Sequence, residues 1–357
     1  MRQVSKYLFT GILLLAIGFS AAWLVAKSRA SPSPSGEAYY LVSNWPQLPE
    51  GLTLGQVAGV DVARNGNVFV FHRAERVWNG EEIELEFIAS PTVLVLDSES
   101  GEVIEQWGAE MFVMPHGLTI DQGDHLWLTD VGLHQVFKFD ARGNLLMTVG
   151  ERGVPGEDAS HFNMPTDVAI APDGSFYVSD GYMNSRVTKF SSEGEFIISW
   201  GTRGMDSGQF DVPHSIALDP QGLVYIADRG NARIQIFDET GRFIKEWKEP
   251  ALGRPWAVRI AETGEIFIVD GGDQNEFWPD RARILKLDSQ GIILASFGSY
   301  GREPGQFIWP HTIAIGPDGA LYVGEVATAC GFRNLQNRTA CGRERERPSK
   351  DEVRFGS

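Results

Sequence analysis

An all-β fold, and within that class a six-bladed β-propeller, is what the sequence predicts, on three observations. Glycine and proline are plentiful, at 40 and 18 of 357 residues, and no long apolar helical pattern follows the N-terminal segment. That balance favours many short strands joined by tight turns. A unit of two alternating apolar runs around a turn rich in Asp, Gly or Pro recurs six times. Its period of about forty to sixty residues is one of stacked repeats or propeller blades.

The best-formed copy reads PTDVAIAPDGSFYVSD from Pro165. Its relatives start at Pro115, Pro213, Pro255 and Pro310, with a degenerate first copy from Gly59. Apolar alternation on both sides of a turn is the pattern of a β-hairpin. Segments such as VTKFSSEGEFIISWG and IQIFDETGRFIKEW supply a second hairpin. Four strands per repeat, six times over, arrange as radial blades around a channel.

Counting inside the repeat locates the candidate chemistry. With the residue after the leading proline as slot zero, the copies carry Ala58, His116, Thr166, His214, Trp256 and His311 there. Fourteen residues later stand His72, Asp130, Asp180, Asp228, Asp270 and Glu325. Antiparallel pairing around a turn near slot seven predicts that slots zero and fourteen lie side by side, on one face near the channel mouth. The acidic residues at slot fourteen read as caps that accept backbone N–H bonds.

Histidine holds slot zero in alternate copies, so three imidazoles should approach the axis from equally spaced directions. Three neutral imidazoles with an open fourth position are a ligand set for catalytic zinc. A cap for its own blade is the plainer reading of each histidine alone, but it leaves the alternation unexplained. Arg73 and Arg229 at slot fifteen and Tyr182 at slot sixteen should edge the same site. A guanidinium can grip a carboxylate through paired hydrogen bonds, and a phenol beside a cation and a metal can act as a base. Each arginine taken singly also suits a surface salt bridge. His125, His134 and His161 fall in turns or between runs and receive no role.

The ends of the chain suggest its surroundings. Tyr7 to Ala26 is an uncharged run preceded by Arg2 and Lys6, long enough for a helix across a bilayer. Residues 1–30 are therefore expected to be a membrane anchor or a cleaved signal. Residues 31–37 form a Ser/Pro linker, 38–328 the propeller, and 329–357 a polar tail. The propeller is expected outside the cytoplasm, membrane-anchored or secreted. Cys330 and Cys341 can close a small disulfide loop there or stay as two free thiols. The net charge of −16 argues against nucleic acid as a partner, because phosphate binding needs clustered positive potential. The short tail around Arg343, Arg345 and Arg347 is interleaved with acids and reads as a solvated end.

The repeats resemble NHL-repeat propellers, and longer stretches resemble one family more closely. GQVAGVDVARNGNVFVFHRAERVWNG, MPHGLTIDQGDHLWLTDVGLHQVFKFD, MPTDVAIAPDGSFYVSDGYMNSRV, GQFDVPHSIAL and ADRGNARIQIF are similar to peptidylglycine α-amidating lyase, from about Trp45 to Glu325. The resemblance implies a zinc lyase with the metal on His116, His214 and His311. It implies Tyr182 as the base, and Arg73 and Arg229 as residues that bind and polarise the substrate. The substrate it implies is a peptide ending in α-hydroxyglycine, broken to an amide and glyoxylate.

Three departures accompany the resemblance. The family has Asp after the third zinc histidine, where this chain has Thr312. That Asp helps to hold a structural calcium with the backbone carbonyls at the positions of Val60 and Leu118, so only the carbonyls remain. The family's Met beside the substrate is replaced by Trp309, which implies a narrower pocket. The cysteine pairs of animal members fall at Asn163 with Met183 and at Tyr225 with Ile236, and both pairs are missing. Residues before Glu37 are too few for a copper monooxygenase domain, so a separate hydroxylating enzyme is expected to supply the substrate.

Two other classes fit parts of the pattern. A non-catalytic NHL-type binding propeller at the cell envelope fits the repeat and the anchor. A metal-dependent propeller hydrolase such as a calcium lactonase fits the fold, though it calls for carboxylate and Asn ligands on the axis.

Overall fold

The computed structural model describes residues 39–52, 54–78, 83–273 and 281–327, with the backbone of 332–337. They belong to one compact unit, Pro32–Ser357. The anchor or signal segment, the linker, both cysteines and the arginines of the tail lie outside the described residues. Among the described residues there is no helix.

The strands form six four-stranded antiparallel sheets. Five are blades of consecutive strands, and their innermost strands are Val57–Val62, Pro115–Ile120, Pro165–Ile170, Pro213–Leu218 and Pro255–Ile260. The last repeat contributes Pro310–Ile315 and Leu321–Glu325 to a composite sheet, completed by Phe332–Asn337 and the N-terminal strand Tyr39–Leu41. The tail assigned to 329–357 therefore gives up a strand to the propeller. Neighbouring innermost strands pack on one another, and Pro310–Ile315 packs on Val57–Val62, which closes the ring.

Local chemistry explains the hairpins. In the third blade Ala171 N–H donates to Ser175 O, and Gly174 takes φ 85°, a left-handed value that favours glycine. Strand residues next to the axis are buried on both faces, as in Phe176–Asp180, whereas the outermost strand Phe196–Trp200 is largely exposed. The apolar side chains left between blades form the core, for example Phe71, Phe112 and Phe139 between the first two.

The slot pairing differs from expectation by one residue. Asp180 faces Pro165, and the register shifts before Asp167, so Thr166 at slot zero is the extra residue of a β-bulge. The same shift recurs in all six sheets, with Val57 opposite His72 and Pro310 opposite Glu325. A simple hairpin would have paired slots zero and fourteen. The bulge takes slot zero out of the ladder and re-aims its groups.

The slot-fourteen acids are buried caps. Asp130 accepts the N–H groups of Val113, Met114, Gly132 and Leu133 at 2.7–2.9 Å. Asp180 and Asp228 each accept one such N–H, from Asn163 and Asp211, and also pair with Arg186 and Arg233, at 3.0 and 2.7 Å.

Candidate functional site

His116, His214 and His311 stand at slot zero of the second and fourth blades and of the composite sheet. Their ring centroids are 4.8–4.9 Å apart. One ligand atom from each lies within 4.8 Å of the others, so the group can hold a metal ion. All three are buried, at 4% exposure or less.

What aims each ring is the bulged residue of the next sheet. Nδ1 of His116 lies 2.7 Å from Thr166 O, that of His214 2.6 Å from Trp256 O, and that of His311 2.9 Å from Ala58 O. A carbonyl can only accept, so each Nδ1 carries the proton and each Nε2 offers its lone pair. Ala58, Thr166 and Trp256 thus serve through their backbones, which explains how their side chains can differ so widely. No sequence signal reveals this, because every residue has a carbonyl.

Burial pushes all three imidazoles well below the usual histidine range. The guanidinium groups of Arg73 and Arg229 act in the same direction on His116 and His311, and that of Arg229 on His214, with neighbouring imidazoles adding to the effect at His214 and His311. The rings are neutral at physiological pH, the form that binds a metal.

Tyr182 sits where slot sixteen placed it. Its Oη lies 2.9 Å from His116 Nε2 and 3.0 Å from His214 Nε2, so the phenol borders the point on which the lone pairs converge. Its backbone N–H reaches Met164 O at 3.4 Å, and that of Arg229 reaches Val212 O at 3.1 Å. Met164 and Val212 precede the leading prolines and take left-handed φ values of 66° and 56°. Such values are strained for non-glycine residues, above all for β-branched valine, and such strain clusters at functional sites.

The two arginines differ. Arg73 is buried, with Nε donating to Pro115 O at 3.0 Å and Nη1 to Gln56 Oε1 at 2.7 Å. Burial pulls its guanidinium down to about 10, partly offset by Tyr182 and Asp130, so it remains a fixed positive charge. Arg229 is half-buried, and among the described residues its guanidinium makes ring contacts only, 5.3 Å from Tyr182 and 4.7 Å from Trp256. Its donors are available to a ligand.

Trp309 joins Trp256 in an aromatic wall, with ring centroids 6.1 Å apart. Sequence reasoning missed Trp78, which meets Tyr182 edge-on at 4.8 Å and lies 5.1 Å from the Arg73 guanidinium. It stands in the loop after slot fourteen, where the repeat gives no register. Val60 and Leu118 lie on innermost strands of the first two blades, and Leu118 O accepts from Arg259 Nη2 at 3.4 Å. His72 Nδ1 accepts N–H bonds from Gly55 and Ala74 at 3.3 and 3.1 Å.

Comparisons with known proteins bear on the fold and the family. The NHL repeat pattern matches residues 112–139, 162–190 and 210–237. The streptogramin B lyase structure superposes with a TM-score of 0.55 at 14% identity, covering 84% of this chain and 98% of that one, a likeness of fold. Peptidyl-glycine alpha-amidating monooxygenase A of Xenopus laevis is 38% identical over 79% of this chain, which spans 32% of that longer protein. Peptidyl-alpha-hydroxyglycine alpha-amidating lyase 2 of Drosophila melanogaster is 37% identical, over 83% of this chain and 74% of its own length. At that identity and coverage, the chain belongs to the peptidyl-α-hydroxyglycine α-amidating lyase family.

Proposed function

We propose that this protein is a zinc-dependent lyase that converts a peptide or other N-acyl group ending in α-hydroxyglycine into an amide and glyoxylate. One observation carries the reading: three neutral imidazoles converge through Nε2 beside a phenol oxygen that lies 2.9 and 3.0 Å from two of them. All-nitrogen donors in that number suit zinc better than calcium, which takes oxygen ligands. We read the composite sheet as the sixth blade, which places the histidines in alternate blades.

Zinc bound there supplies Lewis acidity at an open fourth position. Acting as its phenolate, Tyr182 takes the proton of the substrate hydroxyl. The O–H electron pair then closes a carbonyl, the C–N bond breaks with its pair on nitrogen, and Tyr182 returns the proton to that nitrogen. Atoms balance without water, so the reaction is an elimination. Arg229 holds the glycine carboxylate with its uncommitted donors, while Arg73 offsets negative charge as a fixed cation. Trp256 and Trp309 narrow the mouth and favour small acyl groups. The uncharged run Tyr7 to Ala26 supports a membrane tether.

The test is glyoxylate release from an N-acyl-α-hydroxyglycine by the full-length, zinc-loaded protein. Tyr182→Phe should lower kcat by about 10²-fold with zinc retained. Arg229→Lys should act mainly on KM, because an ammonium cannot reproduce the planar fork. No glyoxylate above the uncatalysed rate across several acyl groups would overturn the assignment.

A further inference from the structure

The channel does not fit the calcium that the family resemblance implies. Thr312 brings a hydroxyl in place of a carboxylate, and the Leu118 carbonyl already accepts from Arg259. One cavity of the channel is bounded both by the three imidazoles and by Asp167, Ser215 and Arg259. These last residues come from slots one and three, which alternate onto one face of the innermost strand. Asp61 and Thr119 also hold slot three, in the first two blades.

Arg259 reaches from the fifth blade across the axis. Nη1 donates to Asp167 Oδ2 at 2.9 Å and to Ser215 Oγ at 3.2 Å, in the third and fourth blades. Nη2 reaches Leu118 O at 3.4 Å, Thr119 Oγ1 at 3.5 Å and Asp167 Oδ1 at 3.4 Å. The pair is well shielded, with the two side chains 13% and 5% exposed. We propose that Arg259 is a built-in cation that replaces a divalent metal ion in the channel and makes the fold independent of calcium.

The donor count agrees. Asp167 also accepts from Val168 N–H at 2.9 Å, Ser215 Oγ at 2.7 Å and Ile216 N–H at 3.3 Å. Asp61 accepts from Val62 N–H at 2.8 Å and Ile120 N–H at 2.7 Å. The guanidinium already holds Asp167 and the Leu118 carbonyl, oxygens that calcium would need among its six to eight. A guanidinium satisfies the same sites as a planar set of donors and brings the positive charge the two acids require. Being covalent, it ties the second, third, fourth and fifth blades together and cannot be lost to a chelator.

Thermal unfolding and elemental analysis of the full-length, zinc-loaded protein, with and without about 1 mM calcium chloride, test this. The wild type should melt at one temperature in both and retain no calcium after desalting. Arg259→Ala leaves Asp61 and Asp167 facing the channel without their cation. Its midpoint should fall by several degrees without calcium and recover with it, at about one calcium per chain. Arg259→Lys keeps a charge and should stay blind to calcium. If Arg259→Ala folds under neither condition, the double variant Asp167→Asn, Arg259→Met, which removes both charges, should fold without a calcium response. A calcium-dependent wild-type midpoint, an Arg259→Ala chain that melts like wild type or is not rescued, or a calcium response in the double variant overturns the proposal. Both readouts are independent of glyoxylate, so a failure here leaves the lyase assignment standing.

Discussion

Each axial imidazole is made a ligand by the carbonyl behind it, which fixes the tautomer while burial and nearby guanidinium charge keep the ring neutral. The slots themselves were legible, because His116, His214, His311, Tyr182, Arg73 and Arg229 fall at constant offsets from the leading proline. The division of work between the arginines was not, since it depends on Pro115 O and Gln56, which reach Arg73 and leave Arg229 alone. His72 shows residue chemistry substituting for a repeat position. It occupies the slot of an acidic cap, and its unprotonated Nδ1 accepts the Ala74 N–H much as Asp130 accepts that of Gly132. Burial lowers its pKa to about 4 from 6.5, with Glu75 opposing the shift. Between those values the unfolded chain holds the proton and the folded chain does not. The contribution of His72 is therefore complete above about 6.5 and is lost as pH falls towards about 4, amounting to about 3 kcal/mol. Urea unfolding across that range should show a shallower pH dependence in His72→Asn than in wild type; equal slopes would refute the assignment.

At the scale of the element, the hairpin and its turn follow from alternation and from Asp-Gly chemistry, so their positions could be read from the sequence. The bulge could not, because it adds a residue without any composition signal and exists to bring a carbonyl to the neighbouring sheet. Gly117 marks the cost of that approach. A Cβ there would lie 2.6 Å from Thr166 O, the acceptor of His116, and 2.9 Å from Thr129 Oγ1. Gly117 is thus required by close passage of two strands, not by its backbone angles. Gly117→Ala should cost about 1–3 kcal/mol through overpacking and weaken metal binding, since the displaced carbonyl no longer holds His116. Unfolding and metal titration read the two effects separately, and an unchanged metal affinity would remove Thr166 O from its role.

For the whole molecule, closure couples the fold to the site. Tyr39–Leu41 pairs with Phe332–Asn337, and His311 of that composite sheet bonds to Ala58 of the first blade. A chain ended before Phe332 should lose the one strand that pairs with both Tyr39–Leu41 and Leu321–Glu325. It should melt at a lower temperature and bind metal more weakly, as calorimetry and elemental analysis would show. Wild-type metal content in that truncation would separate closure from the site. The sequence by itself determined the all-β class, the repeat, the alternation of the histidines and the residues gathered at one end of each hairpin, because periodicity and turn chemistry are local. Only the tertiary structure decided which carbonyl aims each imidazole, which arginine is free, that Arg259 crosses the channel, and that a strand from the tail completes the last sheet. Those contacts join residues far apart in the chain, often through backbone atoms common to all residues, and no local pattern encodes them.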